Sequence, residues 1–156
     1  MVLGRAAIFD GKNVLQTQAY GAEARGSLTK SEVIVSEAKI GFPAVRKSDI
    51  LVTMSKEAAD ELVKDLRETG TLLLDSSVGE VPHTGAKILR YPATEKAREL
   101  FGDALYANMV MLGALLQATG VVRPESVEEA IRESSGKKSV ETNVSAFREG
   151  LRLRPS

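Results

Sequence analysis

The stretch from Ile50 to Leu74, ILVTMSKEAADELVKDLRETGTLLL, decides how the chain folds. Its two ends, Ile50–Met54 and Thr71–Leu74, are continuous apolar runs with the composition of strands covered on both faces. Between them Ser55 is a natural N-cap, and Ala59, Leu62, Val63 and Leu66 share one helical face. Gly70 then supplies the expected C-terminal stop. Strand, helix and strand at this spacing make a βαβ unit, which requires a parallel strand pair.

Working outward, Asn13–Tyr20, Glu32–Ser36 and Lys87–Tyr91 read as further strands, the last leading through Pro92 into the helical ATEKARELFG. An apolar helix is expected over Ala104–Ala118. Another starts near Pro124 with Val127, Ala130 and Ile131 on one face, and a last one carries Val140, Val144, Phe147 and Leu151. The first element reads as a helix, Val2–Phe9, and no Gly-x-Gly-x-x-Gly occurs, so a dinucleotide site has no motif behind it. The expected fold is a single domain over residues 1–156: a three-layer α/β/α arrangement with a mostly parallel or mixed sheet and a helical C-terminal third.

Composition narrows the chemistry. At 156 residues, with 43% apolar and 27% charged residues, the chain is long enough for one core. Its net charge of zero argues against nucleic acid or an anionic membrane as a main partner. With no cysteine it cannot by itself hold a disulfide, a thiolate zinc site or an iron–sulfur cluster. His83 is the sole histidine and sits in a polar connection, so neither a histidine-rich metal site nor a Ser-His-Asp arrangement is arguable. Ala104–Ala118 is too short to span a bilayer, and the start MVLGRAAIFDG lacks the marks of a secretory signal, so a cytoplasmic location is expected.

Three places are candidates for more than structure. Asp75-Ser76-Ser77 lies at the C-terminal end of a sheet strand, where open α/β sheets bind ligands, although Asp and Ser also form capped turns. Asn108, inside an apolar helix, needs a hydrogen-bond partner if buried and reads as a structural polar residue. The loop from Tyr20 to Ser27, YGAEARGS, has Gly-x-x-x-x-Gly spacing through Gly21 and Gly26. It fails as a phosphate loop because Ser27 and Leu28 follow the second glycine and the chain runs on into a strand, not a helix. Glu23 and Arg25 then have two readings: a weak solvent-exposed pair, or an Arg that grips a carboxylate or phosphate on a partner or substrate.

The run QTQAYGAEARGSLTKSEVIVSEAKIGFPAVRKSDILVTMS resembles the gamma subunit of the 2-oxoacid:ferredoxin oxidoreductases. Tyr20, Gly21, Glu23, Arg25 and Gly26 match that family's Tyr-Gly-x-Glu-x-Arg-Gly loop. Ser31, Glu32 and Val33 match its next strand, and Pro43, Asp49, Leu51 and Val52 the segment after. Asn108, Met109, Leu112 and Gly113 match its Asn-Met-x-x-Leu-Gly helix, and ETNVSAFREG resembles its closing helix. Ala22 stands where Pro is common in the family, and Ser27 where Gly or Ala is common.

The resemblance implies a complex that decarboxylates a 2-oxoacid, forms an acyl-CoA and passes electrons to ferredoxin. Thiamine diphosphate, iron–sulfur clusters and CoA belong to such a complex, none held by this chain alone, and alpha, beta and possibly delta or ferredoxin-type subunits are the implied partners. This chain would then supply no catalytic residue, having a packing and gating role near the active site with Tyr20, Gly21, Glu23, Arg25 and Gly26 facing CoA, substrate or another subunit. The loop is most similar to the 2-oxoglutarate branch. An indolepyruvate-type small subunit and a stand-alone α/β ligand-binding module are the alternatives. The family's first strand and Gly-x-Gly-Gly-Gln-Gly turn have no counterpart here. Without them a sheet edge should pair with another copy, giving a homo-oligomer in isolation, and helix Val2–Phe9 should be loosely held unless a partner covers it.

Overall fold

The computed structural model describes residues 1–20 and 29–156, the side chains of Ala19 and Tyr20 excepted. It contains helices α1 (Val2–Phe9), α2 (Lys56–Leu62), α3 (Ala93–Phe101), α4 (Ala107–Thr119), α5 (Pro124–Ser134) and α6 (Val140–Arg152). Its strands are β1 (Asn13–Tyr20), β2 (Thr29–Ser36), β3 (Ser48–Thr53), β4 (Leu66–Asp75) and β5 (Lys87–Tyr91). The strands form two separate ladders: an antiparallel hairpin, β1–β2, and a parallel sheet in the order β3–β4–β5.

The parallel sheet is the middle layer. Successive side chains of a strand point to opposite faces, and in β4 Leu72, Leu73 and Leu74 are all fully buried. Leu73 packs with Tyr91, α3, α4 and α6 on one face. Leu72 and Leu74 pack with Ala59 of α2, Val63, Val78 and Ala86 on the other. This is the three-layer α/β/α arrangement expected, with the antiparallel pairing set apart. A third cluster joins Ala6 and Ala7 of α1 to Val127, Ala130 and Ile131 of α5 and to Val144 and Phe147 of α6.

Helices α4 and α6 touch backbone to backbone. A Cβ on Gly113 would lie 2.1 Å from the carbonyl oxygen of Phe147, and one on Gly150 only 1.9 Å from that of Val110. Only glycine at both positions permits this approach. The close crossing lets α4 bury Val110, Met111, Ala114, Leu115 and Leu116 along its length.

Four expectations need correction. The helix after Ser55, whose hydroxyl does accept the N–H of Ala58 at 3.2 Å, ends at Leu62 and tightens into a 3-10 turn over Val63–Asp65. Leu66 is buried, but as the first residue of β4, paired with Ser48. Gly70 is therefore no helix stop. It lies in an irregularity where the pairing jumps from Ser48–Leu66 to Ile50–Thr71, and a Cβ there would meet the Asp49 carbonyl oxygen at 2.8 Å. The apolar helix expected from Ala104 opens with a 3-10 turn, Ala104–Tyr106, before α4 begins. Asn108 is exposed, and its Oδ1 accepts the N–H of Met109 at 2.7 Å. Inward positions of α4 are Ala107, Val110, Met111 and Ala114, and Asn108 falls a residue off that face. Finally α1 is firmly seated: Gly4, Ala6 and Ala7 are buried, and Lys12 just beyond it donates to the Val121 carbonyl at 2.9 Å.

Gly113→Ala and Gly150→Ala are each expected to force α4 and α6 apart. The cost should be about 1–3 kcal/mol or more, read as a fall of several degrees in melting temperature. An unchanged melting temperature in both variants would show that the helices have room to spare.

Candidate functional site

The loop singled out in sequence, residues 21–28, lies outside the described residues, so Gly21, Glu23, Arg25 and Gly26 carry no structural account. Its frame is described. The strands on either side pair in unbroken register from Asn13–Ser36 to Tyr20–Thr29, so the loop joins the two ends of a hairpin ladder. The chain leaves the loop into β2, a strand and not a helix, as the rejection of a phosphate loop requires.

The hairpin is held to the body through α1. Val14 and Val35, opposite one another, pack on the third core cluster. Gly4 brings the helix close, since a Cβ there would sit 2.9 Å from Gln16 Oε1 and 3.3 Å from Val14 Cγ1. Polar cross-strand contacts continue outward: Gln16 Nε2 donates to Ser31 Oγ at 3.3 Å and Thr17 Oγ1 to Glu32 Oε2 at 3.4 Å. Lys30 pairs with Glu32 at 2.7 Å. That hydrogen bond holds the Lys30 ammonium above its usual range against the opposing effect of burial, with Asp65 and Glu61 adding attraction. Lys30 is therefore already neutralised at the base of the loop.

The other candidates are structural. Asp75 is buried at the end of β4, with Oδ1 accepting the N–H of Ser77 at 2.9 Å and its hydroxyl as well. Oδ2 accepts the N–H of Thr94 at 2.7 Å, in the first turn of α3. Burial raises its pKa, but the Ser77 and Thr94 hydrogen bonds outweigh this and hold it below the ordinary value. The capped-turn reading of Asp75-Ser76-Ser77 holds, with both carboxylate oxygens engaged within the fold. His83 is exposed in the connection to β5. Among the described residues no cluster of His, Cys, Asp or Glu is arranged to hold a metal ion. The chain has no cysteine and so offers no thiolate for an iron–sulfur cluster.

Sequence reading missed Asp10. Its carboxylate is almost fully covered and reaches across to the start of α5. Oδ2 accepts the N–H of Arg123 at 2.7 Å, while Oδ1 accepts from Arg123 Nε at 2.8 Å and from the Ser126 hydroxyl. Burial alone would raise its pKa. The Ser126 hydroxyl and the Arg123 N–H and guanidinium prevail and bring it to about 2 from 3.8. A signal existed: α5 has no side-chain cap of its own, its N-cap being Arg123 before Pro124.

Comparison with known proteins places the chain. Residues 1–153 match the pyruvate ferredoxin/flavodoxin oxidoreductase family, and the chain belongs to it. It is 43% identical over 157 residues to the 2-oxoglutarate synthase subunit KorC of Methanocaldococcus jannaschii, covering 98% of this chain and 84% of that one. It is 34% identical over 143 residues to the ketoisovalerate oxidoreductase subunit VorA of Methanothermobacter thermautotrophicus, covering 90% of this chain but only 30% of the relative. A crystal structure of the keto/oxoacid ferredoxin oxidoreductase gamma subunit from Geobacter sulfurreducens superposes with a TM-score of 0.84 at 37% identity, covering 96% of this chain and 85% of that one. The gamma-subunit resemblance read from the sequence is thus established, and its 2-oxoglutarate branch is the more similar of the two branches compared.

Asp10 gives the fold a defined acid sensitivity. Its folded pKa lies below the unfolded value, so its contribution is complete above about pH 4 and disappears as pH falls toward 2. Asp10→Ala should cost about 1–3 kcal/mol at neutral pH and flatten the loss of stability between those limits. Urea midpoints measured across that pH range check it, and an unaltered slope would refute it.

Proposed function

We propose that the chain is the gamma subunit of a 2-oxoglutarate:ferredoxin oxidoreductase complex. In that complex the acid is oxidatively decarboxylated to its acyl-CoA and electrons pass to ferredoxin. The observation that carries this reading is the 43% identity with a 2-oxoglutarate synthase subunit over 98% of the chain. Thiamine diphosphate and the iron–sulfur clusters reside on alpha- and beta-type partners, with a delta or ferredoxin-type subunit as a further candidate. The assembly works in the cytoplasm, a location compatible with the absence, among the described residues, of a helix long and apolar enough to cross a membrane.

Within the complex the chain acts by position. The β1–β2 hairpin carries the loop of Tyr20, Gly21, Glu23, Arg25 and Gly26 toward CoA, the substrate chamber or another subunit. Arg25 is the anion-directed group, its guanidinium suited to a phosphate or carboxylate, and Glu23 orients it. Support for the hairpin's part comes from its anchoring: an unbroken ladder seated on α1 through Val14 and Val35 gives the loop a fixed base.

Assay of the purified complex and of its separated subunits tests this. The complex should reduce a viologen dye with 2-oxoglutarate, CoA and thiamine diphosphate, in preference to pyruvate or indolepyruvate, while the isolated chain should reduce none. Preference for another 2-oxoacid would reassign the substrate, and activity of the chain alone would overturn the subunit reading. In the assembled complex Arg25→Ala should raise KM for CoA or lower turnover about tenfold, the scale of one lost charge-assisted hydrogen bond. Unchanged kinetics would return the loop to an idle surface pair.

A further inference from the structure

The turn after α1 holds Asp10-Gly11, the single Asp-Gly step in the chain, and no Asn-Gly occurs. In such a step the Gly backbone nitrogen lies within one bond rotation of the Asp side-chain carbon, and glycine, having no Cβ, leaves that nitrogen unshielded. Gly11 is exposed, with φ at +75° and nothing within 4 Å of where a Cβ would lie, so water reaches the peptide bond. The fold holds the reacting atoms apart. A ψ of 4° at Asp10 turns the Gly11 nitrogen away from the side chain, and the Gly11 N–H donates to the Ile8 carbonyl at 2.9 Å. The Asp10 side chain, only 6% exposed, is drawn instead to the start of α5, under the Arg123 N–H and guanidinium and the Ser126 hydroxyl. Those bonds also keep it ionised at neutral pH, the less reactive form of a carboxyl group.

We propose that Asp10-Gly11 is a latent modification site, where release of the Asp10 carboxylate from α5 leads to a cyclic imide and then to isoaspartate. In the closing step the Gly11 nitrogen bonds to Asp10 Cγ and the Cγ–O bond breaks. The amide proton and the carboxyl OH leave together as water, and nothing is oxidised or reduced. A second water then opens the ring at either carbonyl. Opening at Cγ restores aspartate. Opening at the main-chain carbonyl leaves the chain running through Cγ, one methylene longer, with the free carboxylate directly on Cα. That shortened arm no longer spans from the turn to the Arg123 N–H and the Ser126 hydroxyl together. Helix α5, which has no side-chain cap of its own, then loses the one it borrows, and its joint with α1 loosens. The cap that fixes α5 is thus also what keeps the step unreacted.

Parent and variant chains incubated side by side at neutral pH test this, with peptide mass spectrometry whose fragmentation separates isoaspartate from aspartate. The folded parent should keep Asp10 unchanged while the urea-unfolded parent converts it. Arg123→Ala retains the Ser126 hydroxyl and the backbone N–H at 123. It should convert about tenfold faster than the folded parent, the scale of one lost charge-assisted hydrogen bond acting on a local opening. Ser126→Ala, the milder cut, should shift the rate the same way. Ser55→Ala removes the cap of α2, which packs in a different core cluster, at a similar cost in stability, and should stay at the parent's rate. A folded parent converting as fast as the unfolded one would overturn the proposal, and so would parent-like rates in both cap variants. Equal acceleration by Ser55→Ala would also overturn it, since global unfolding and not the Asp10 cap would then be the gate.

Discussion

The contact of Gly113 with Gly150 is the constraint on which the helical side of the molecule depends. Because neither helix carries a Cβ at the crossing, α4 and α6 approach until the carbonyls of Val110 and Phe147 fill the space side chains would take. That closeness puts Leu116 of α4 and Phe147 of α6 into the cluster that α1 and α5 cover, while Val110 and Ala146 reach the cluster under the sheet. The pair therefore ties two cores together. Separating them would open both, as interiors are close-packed and leave little slack.

Around that pair the elements are fastened by carboxylates acting at a distance. Asp10, in the turn after α1, caps α5, and Asp75, at the end of β4, caps α3. In each case the capped helix lacks a side-chain cap of its own. The unsatisfied N–H groups of a helix start are thus used to set where another element ends. Arg148 adds a two-pronged pair to Glu128, at 2.6 and 2.7 Å, fixing α6 against α5. The β1–β2 hairpin rests on this assembly through α1, so its position follows from Gly4, Ala6 and Ala7.

How much of this the sequence disclosed depended on the range of the interaction. Apolar runs placed β3 and β4, and Ser55 and Pro124 marked two helix starts, because those signals are local. Gly70 was misread because the burial of Leu66 fits a helical period as well as a strand, and only pairing with Ser48 decides between them. Asn108 was misplaced because an almost wholly apolar helix does not reveal its inward face. Asp10 and the Gly113–Gly150 contact join residues far apart in the chain, and no period announces them. The family loop shows the converse: Tyr20, Gly21, Glu23, Arg25 and Gly26 stood out through their spacing and the resemblance alone.

That contrast separates structural from functional residues in this chain. Asp10 and Asp75, both held below the ordinary carboxylate pKa, spend their acceptor capacity on N–H groups, hydroxyls and, at Asp10, a guanidinium within the fold. Perturbed ionisation marks stress points of a fold as readily as active sites. The chain has no cysteine, its single histidine is exposed, and the buried carboxylates Asp10 and Asp75 are engaged in capping. The relatives it resembles are named as subunits of oxidoreductases, so carboxylates engaged this way are read first as parts of the scaffold and only then as candidates for chemistry.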